Sequence, residues 1–97
     1  MYARVTTFEL NPGKIDEALE VSRNDIVPVM KQQPGFKALL TLVDREASKA
    51  ISITLWETED DLKAGESSGY YQQQASKLAS FVMAAPNREI YEGTLEQ

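Results

Sequence analysis

The sequence has 97 residues, 42% apolar and 26% charged, with a formal net charge of −5 and a pI of about 4.6. This is the composition of one folded domain over residues 1–97 rather than of a disordered chain. The acidic balance, with Lys and Arg scattered, argues for no nucleic-acid partner and no membrane partner, since both need a basic patch. The absence of cysteine excludes disulfides, thiolate metal sites and a Cys nucleophile, and the absence of histidine removes the usual general base, metal ligand and haem ligand.

From the N-terminus, Tyr2, Arg4, Thr6, Phe8 and Leu10 alternate with Ala3, Val5, Thr7 and Glu9, which predicts a first strand. Asn11-Pro12-Gly13 ends it as a turn. Met1-Tyr2-Ala3-Arg4 carries no signal-peptide pattern and no apolar run approaches membrane-spanning length, so a cytoplasmic protein is expected. Lys14 to about Gln33 reads as an amphipathic helix with Ile15, Ala18, Leu19, Ser22, Ile26, Val29 and Met30 on a 3/4 spacing. Pro28 lies inside that pattern and predicts either a kink near Ile26-Val27-Pro28 or two short helices with the proline in the first turn of the second.

Pro34-Gly35 closes the helix, and Phe36 to Val43 is a second strand with apolar residues on both faces: Phe36, Ala38, Leu40 and Leu42 against Lys37, Leu39, Thr41 and Val43. A polar connection, Asp44 to Lys49, leads into a third strand, making an antiparallel hairpin. There Ile51, Ile53 and Leu55 oppose Ser52, Thr54 and Trp56. Thr58 then reads as a helix N-cap, with Glu59, Asp60 and Asp61 placing negative charge in the first turn. These carboxylates diverge around the helix, so they read as a charged helix start rather than a metal site. Gly65-Glu66-Ser67-Ser68-Gly69 is expected to break the helix. A further helix is predicted from about Tyr70 to Ala84 with Tyr71, Ala75, Leu78, Ala79, Val82 and Met83 as its apolar stripe, followed by a fourth strand from Arg88 to Leu95.

The order β-α-β-β-α-β predicts an α+β, ferredoxin-like fold, an antiparallel four-stranded sheet with helices on one face. The other face carries too much apolar surface to stay bare, and a second copy of the same sheet is the simplest cover.

With these residues in place the chain resembles the antibiotic biosynthesis monooxygenase domains of the dimeric α+β barrel superfamily. The likeness spans nearly the whole chain and rests on Phe8-Glu9-Leu10-Asn11-Pro12-Gly13-Lys14, Gln33-Pro34-Gly35-Phe36, Ile53-Thr54-Leu55-Trp56-Glu57-Thr58-Glu59-Asp60 and Tyr91-Glu92. The resemblance implies a homodimer through the sheet face and a pocket between sheet and helices. Some such domains oxidise polycyclic phenols or quinols with molecular oxygen and no metal or flavin, and others degrade haem. The haem branch has an asparagine where this chain has Thr6 and a histidine near Ala75. Only Trp56 matches, which argues against haem degradation.

The resemblance thus implies a cofactor-independent monooxygenase acting on a small aromatic phenol or quinol, with no cofactor. Its rivals are a non-catalytic ligand-binding or stress-response dimer and an isomerase- or dehydratase-like member, the last weakened by the lack of histidine. A pocket for such a substrate would take Trp56, Phe8, Tyr70, Tyr71 and Phe81 as walls and Thr6, Thr54 and Arg88 as polar groups. Six of them have a plainer reading: Trp56 as a core tryptophan, Tyr70 and Tyr71 as a helix start rather than a lid, Thr6 and Thr54 as ordinary strand residues, Arg88 in a surface ion pair.

Overall fold

The alternation that opens the chain folds as strand β1 (Tyr2–Glu9) in the computed structural model, which describes residues 1–96. β2 (Phe36–Asp44), β3 (Lys49–Trp56) and β4 (Asn87–Glu92) join it in a four-stranded sheet of order β2-β3-β1-β4, each neighbouring pair antiparallel. The helical segments follow β1 and β3, which is the ferredoxin-like arrangement.

Register sorts the side chains into rows, because directly paired residues share a face. One face carries Thr41, Ser52, Thr6 and Arg88 in one row and Leu39, Thr54, Arg4 and Ile90 in the next. The other carries Leu40, Ile53 and Val5, then Leu42, Ile51 and Thr7. The first face lies under the helices. On the second, Leu40 is 55% exposed and Leu42 46%.

Phe36 departs from the expected alternation. A bulge between Phe36 and Ala38 pairs Phe36 with Trp56 and Ala38 with Leu55, so Phe36 leaves the Ala38, Leu40 and Leu42 face. Its ring instead meets the Trp56 indole edge-on, centroids 5.7 Å apart.

Both readings of the Pro28 region hold part of the truth. α1 (Ile15–Val21) runs into a π-helical segment, Ser22–Ile26, and then α2 (Val27–Met30), with Pro28 in its first turn. Proline offers no N–H and crowds the carbonyl four residues back, so the ladder widens just before it. The Val27 N–H reaches the Ser22 carbonyl, the π spacing.

α3 (Glu59–Ser67) begins as expected: the Thr58 hydroxyl accepts from the Asp61 N–H at 3.1 Å and donates to Asp61 Oδ2 at 2.9 Å. It continues through Gly65 and stops before Gly69, whose positive φ of 83° turns the chain into α4 (Tyr70–Ser76). The predicted helix to Ala84 is too long. A 3-10 turn occupies Ala79–Phe81, Val82 bridges Leu10 in extended form, and Met83 is 65% exposed. Main-chain pairing with the end of β1 overrides the side-chain stripe, and α4 buries Tyr70 and Gln74 instead. The last strand is likewise shorter than predicted and ends at Glu92.

Beneath the helices the core divides in two. Ile26, Met30, Trp56, Leu62 and Tyr70 form one buried cluster, and Leu10, Ile15, Ala18 and Ala50 the other, with Leu78 packed against both.

Candidate functional site

A cavity of ≈ 100 Å³ opens between the sheet and the helices, lined by residues of both clusters. Phe8, Leu10, Ala50 and Leu39 from the strands, and Ile15, Ala18, Leu19, Ile26, Met30, Ala75 and Leu78 from the helical side, give apolar walls. The sheet floor is different. Thr41, Ser52 and Thr6 form a row of hydroxyls across three strands, with Thr54 and Arg4 in the row beside it. The π segment contributes Ser22 and Ile26 to the lining, so Pro28 shapes this hollow indirectly.

At one end of the cavity charge is concentrated. Arg4 is only 4% exposed, held by β1 against α3 and α4. Its Nη2 donates to the Leu62 carbonyl at 3.1 Å and stands 3.6 Å from Glu66 Oε1. Arg88 Nη1 is 3.3 Å from the same oxygen. Both guanidinium carbons lie over the Tyr71 ring, at 4.5 Å and 4.6 Å from its centroid. Two cations thus share one carboxylate and one aromatic ring. Burial pulls the Arg4 pKa below the ordinary arginine value, with Glu66 the leading influence the other way.

Three polar atoms here are buried without a hydrogen-bond partner: Arg4 Nε, Glu66 Oε1 and the Tyr70 hydroxyl. Burial pushes Tyr70 up to about 12, opposed by the Arg4 charge. Gln74, one turn beyond Tyr70 and also buried, accepts from Lys77 Nζ at 2.9 Å, and Lys77 in turn reaches the Asp25 carbonyl at 2.8 Å. This ties α4 to the π segment across the cavity.

Of the residues singled out from the sequence, Thr6, Phe8, Thr54, Tyr70 and Tyr71 line the cavity together. Arg88 lies beside them over Tyr71, in its ion pair with Glu66. Trp56 and Phe81 stand elsewhere. Trp56 is 1% exposed, donates from Nε1 to Thr54 Oγ1 at 2.9 Å, and borders a separate hollow with Gln33, Pro34, Asp61, Ala64, Gly65 and Ser68. Phe81 packs on the Leu10 and Ile15 cluster, and its carbonyl accepts from the Asn11 N–H. Arg4, Ser52, Thr41 and Gln74 escape the sequence reading. The signal for Arg4 was present, a cation alternating in phase with Tyr2, Thr6 and Phe8 on the face that had to be covered. Among the described residues no three of His, Cys, Asp and Glu converge as a metal site, and no helix is long and apolar enough to cross a membrane.

The family model described as antibiotic biosynthesis monooxygenase matches residues 1–76. The chain belongs to the antibiotic biosynthesis monooxygenase family. Family membership and fold together give a monooxygenase-like architecture, and solved structures agree with it. A monooxygenase from Streptomyces coelicolor, in complex with the ligand nanaomycin D, superposes with a TM-score of 0.81 at 16% identity, covering 99% of this chain and 91% of that one. SnoaB, a cofactor-independent oxygenase from Streptomyces nogalater, gives 0.73 at 14% identity over 98% and 94%. An uncharacterized NIPSNAP domain protein from Burkholderia xenovorans gives 0.72 at 10% identity over 97% and 95%. At these identities the likeness establishes the fold and leaves the chemistry to the site. Two uncharacterized proteins of Mycobacterium tuberculosis are 31% and 30% identical over 64 residues. The match takes in 66% of this chain but only 27% and 29% of theirs, so the chain spans little more than a quarter of the curated relatives it matches.

Proposed function

We propose that the chain is a cofactor-independent monooxygenase that oxidises a small aromatic phenol or quinol with molecular oxygen in the sheet–helix cavity. The observation that carries this reading is the cavity's composition: apolar walls around a hydroxyl-bearing floor, with the Arg4, Arg88 and Glu66 charges summing to positive at one end. Apolar cavities of about 150 Å³ hold a benzene ring; this hollow, at ≈ 100 Å³, is smaller, so an aromatic ring would fill it and extend into its open mouth.

The chemistry needs little from the protein. An electron-rich phenolate gives one electron to oxygen, the two radicals join to a hydroperoxide on the ring, and loss of water leaves the quinone. For a ring C–H para to the hydroxyl the balance is phenol plus O2 to quinone plus water. The chain's part is to hold the ring against Phe8 and Leu78, set its oxygens on Thr6, Ser52 and Thr54, favour the anion through nearby positive charge and keep bulk water out.

A second copy fits the outer sheet face. Leu40, Leu42 and Tyr91 lie exposed there around the half-buried Val5, Ile51, Ile53 and Leu55, an apolar patch that a matching sheet would cover as a homodimer.

The test is oxygen consumption with a panel of hydroxynaphthalenes and anthrones in metal-free buffer. Uptake matched by quinone formation is the expected result. Tight binding of the same compounds with no uptake would replace this reading with a non-catalytic ligand-binding protein.

A further inference from the structure

Arg4 is a buried cation whose charge Glu66 only partly answers, since that carboxylate also faces Arg88. Arg4 Nε has no acceptor, and the Tyr70 hydroxyl has no partner. Leaving such groups buried and unpaired is unfavourable, the more so where charge is involved. Both residues line the cavity, one from the strand floor and one from the first residue of α4. Glu66 Oε1 also lacks a hydrogen bond, but it stands between two guanidinium groups and leaves their net charge positive. Two orphaned donors and an under-neutralised charge at the same end of an apolar hollow describe a seat for a negatively charged oxygen.

We propose that Arg4 and Tyr70 are the recognition pair for an anionic oxygen on the aromatic ligand, so that this cavity selects ionised aromatic hydroxyls or carboxylates over neutral rings of the same size. This rests on the cavity being the binding site of the proposed oxygenase, and it names the charge state that site takes. The charged and titratable groups around the seat are Arg4 on β1, Glu66 on α3, Tyr70 and Tyr71 on α4 and Arg88 on β4. Glu66 is the only acid among them, and it already lies against two cations. The hydroxyls of Thr6 and Thr54 then serve the ring's uncharged oxygens, while the anionic one sits on Arg4 Nε and the Tyr70 O–H.

The probes are 4-nitrophenol, whose phenol and phenolate absorb differently, with benzoate and uncharged nitrobenzene. Bound to the wild-type chain, 4-nitrophenol should ionise about 1–3 pH units below its free value, the shift a nearby opposite charge produces. Arg4→Gln should abolish that shift and weaken the phenolate about tenfold or more while leaving nitrobenzene unaffected. Tyr70→Phe should weaken the phenolate several-fold, again without touching nitrobenzene. It removes a hydroxyl that bonds nothing in the protein, so it keeps the test alive if Arg4→Gln fails to fold. Benzoate competition extends the seat to carboxylates, and its failure restricts it to ring hydroxyls. Equal affinity for nitrobenzene and nitrophenolate, or no binding of any probe, overturns the proposal. Charge-blind binding with oxygen uptake intact sinks this inference alone. Charge-selective binding without uptake sinks the oxygenase reading alone.

Discussion

The guanidinium carbon of Arg4 lies 4.5 Å from the centroid of the Tyr71 ring. Arg88 lies 4.6 Å from the same ring, and both face Glu66. Tyr71 therefore joins β1, β4 and α4 through its π face rather than its hydroxyl. Tyr71→Phe keeps that face and should cost under about 1 kcal/mol. Tyr71→Leu loses both cation–π contacts and should destabilise by about 1–3 kcal/mol. Urea denaturation of the two variants separates these outcomes.

Tyr70 supplies the opposite case, a hydroxyl that is buried and bonded to nothing within the chain. Tyr70→Phe should leave stability unchanged or raise it by about 1–3 kcal/mol. The same burial raises the folded phenol to about 12, above the value of about 10 for an unfolded tyrosine. Between those limits the folded chain binds more protons than the unfolded one, so stability falls as pH rises. Wild type should lose stability between about pH 10 and 12, and Tyr70→Phe should lose less. Thermal melts across that range, with tyrosinate absorbance as the titration signal, check the sign.

Gly35 is held at a φ of +79°, and a Cβ there would collide with the Asp61 side chain. Asp61 is also the partner of the Thr58 cap. Gly35→Ala should cost about 1–2 kcal/mol for the left-handed backbone, and about 1 kcal/mol more if the cap is disturbed. Gly69→Ala shares the positive φ but meets no neighbouring atom within 4 Å, so it should cost only the backbone part. A denaturation comparison of the pair isolates the collision.

The outer face yields a prediction about assembly. Leu40 and Leu42 sit in adjacent rows with Ile53 and Ile51 and are the exposed large apolar residues of β2. If a second copy covers them, the double variant Leu40→Lys, Leu42→Lys should sediment as a monomer at concentrations where wild type is a dimer. Wild type sedimenting as a monomer at micromolar concentration would remove the homodimer from the account.

These residues also show how far the sequence could be read. The strands, the hairpin and the Thr58 cap were legible because alternation and capping are local, set by neighbours within a few residues. Phe36 was misplaced because a bulge moves a side chain to the other face without altering the pattern of residue types. Periodicity predicts too long a helix after Tyr70 because the Leu10–Val82 bridge is a main-chain contact between distant segments, invisible to side-chain spacing. Within the site, the strand phase put Thr6, Phe8 and Thr54 on the covered face. It does not tell which hollow beneath the helices each side chain meets, and Trp56 shares the covered face yet borders the other hollow. Arg4 is hard to read because a charged residue in a strand looks solvent-facing until its partners on α3 and α4 are known.

The most direct measurement is a crystal structure of the chain with a bound hydroxynaphthalene. The account predicts the ring in the sheet–helix cavity, with its hydroxyl oxygen about 2.7–3.2 Å from Arg4 Nε, a hydrogen-bond distance. A ring lodged beside Trp56, or on the outer sheet face with the cavity vacant, would contradict it.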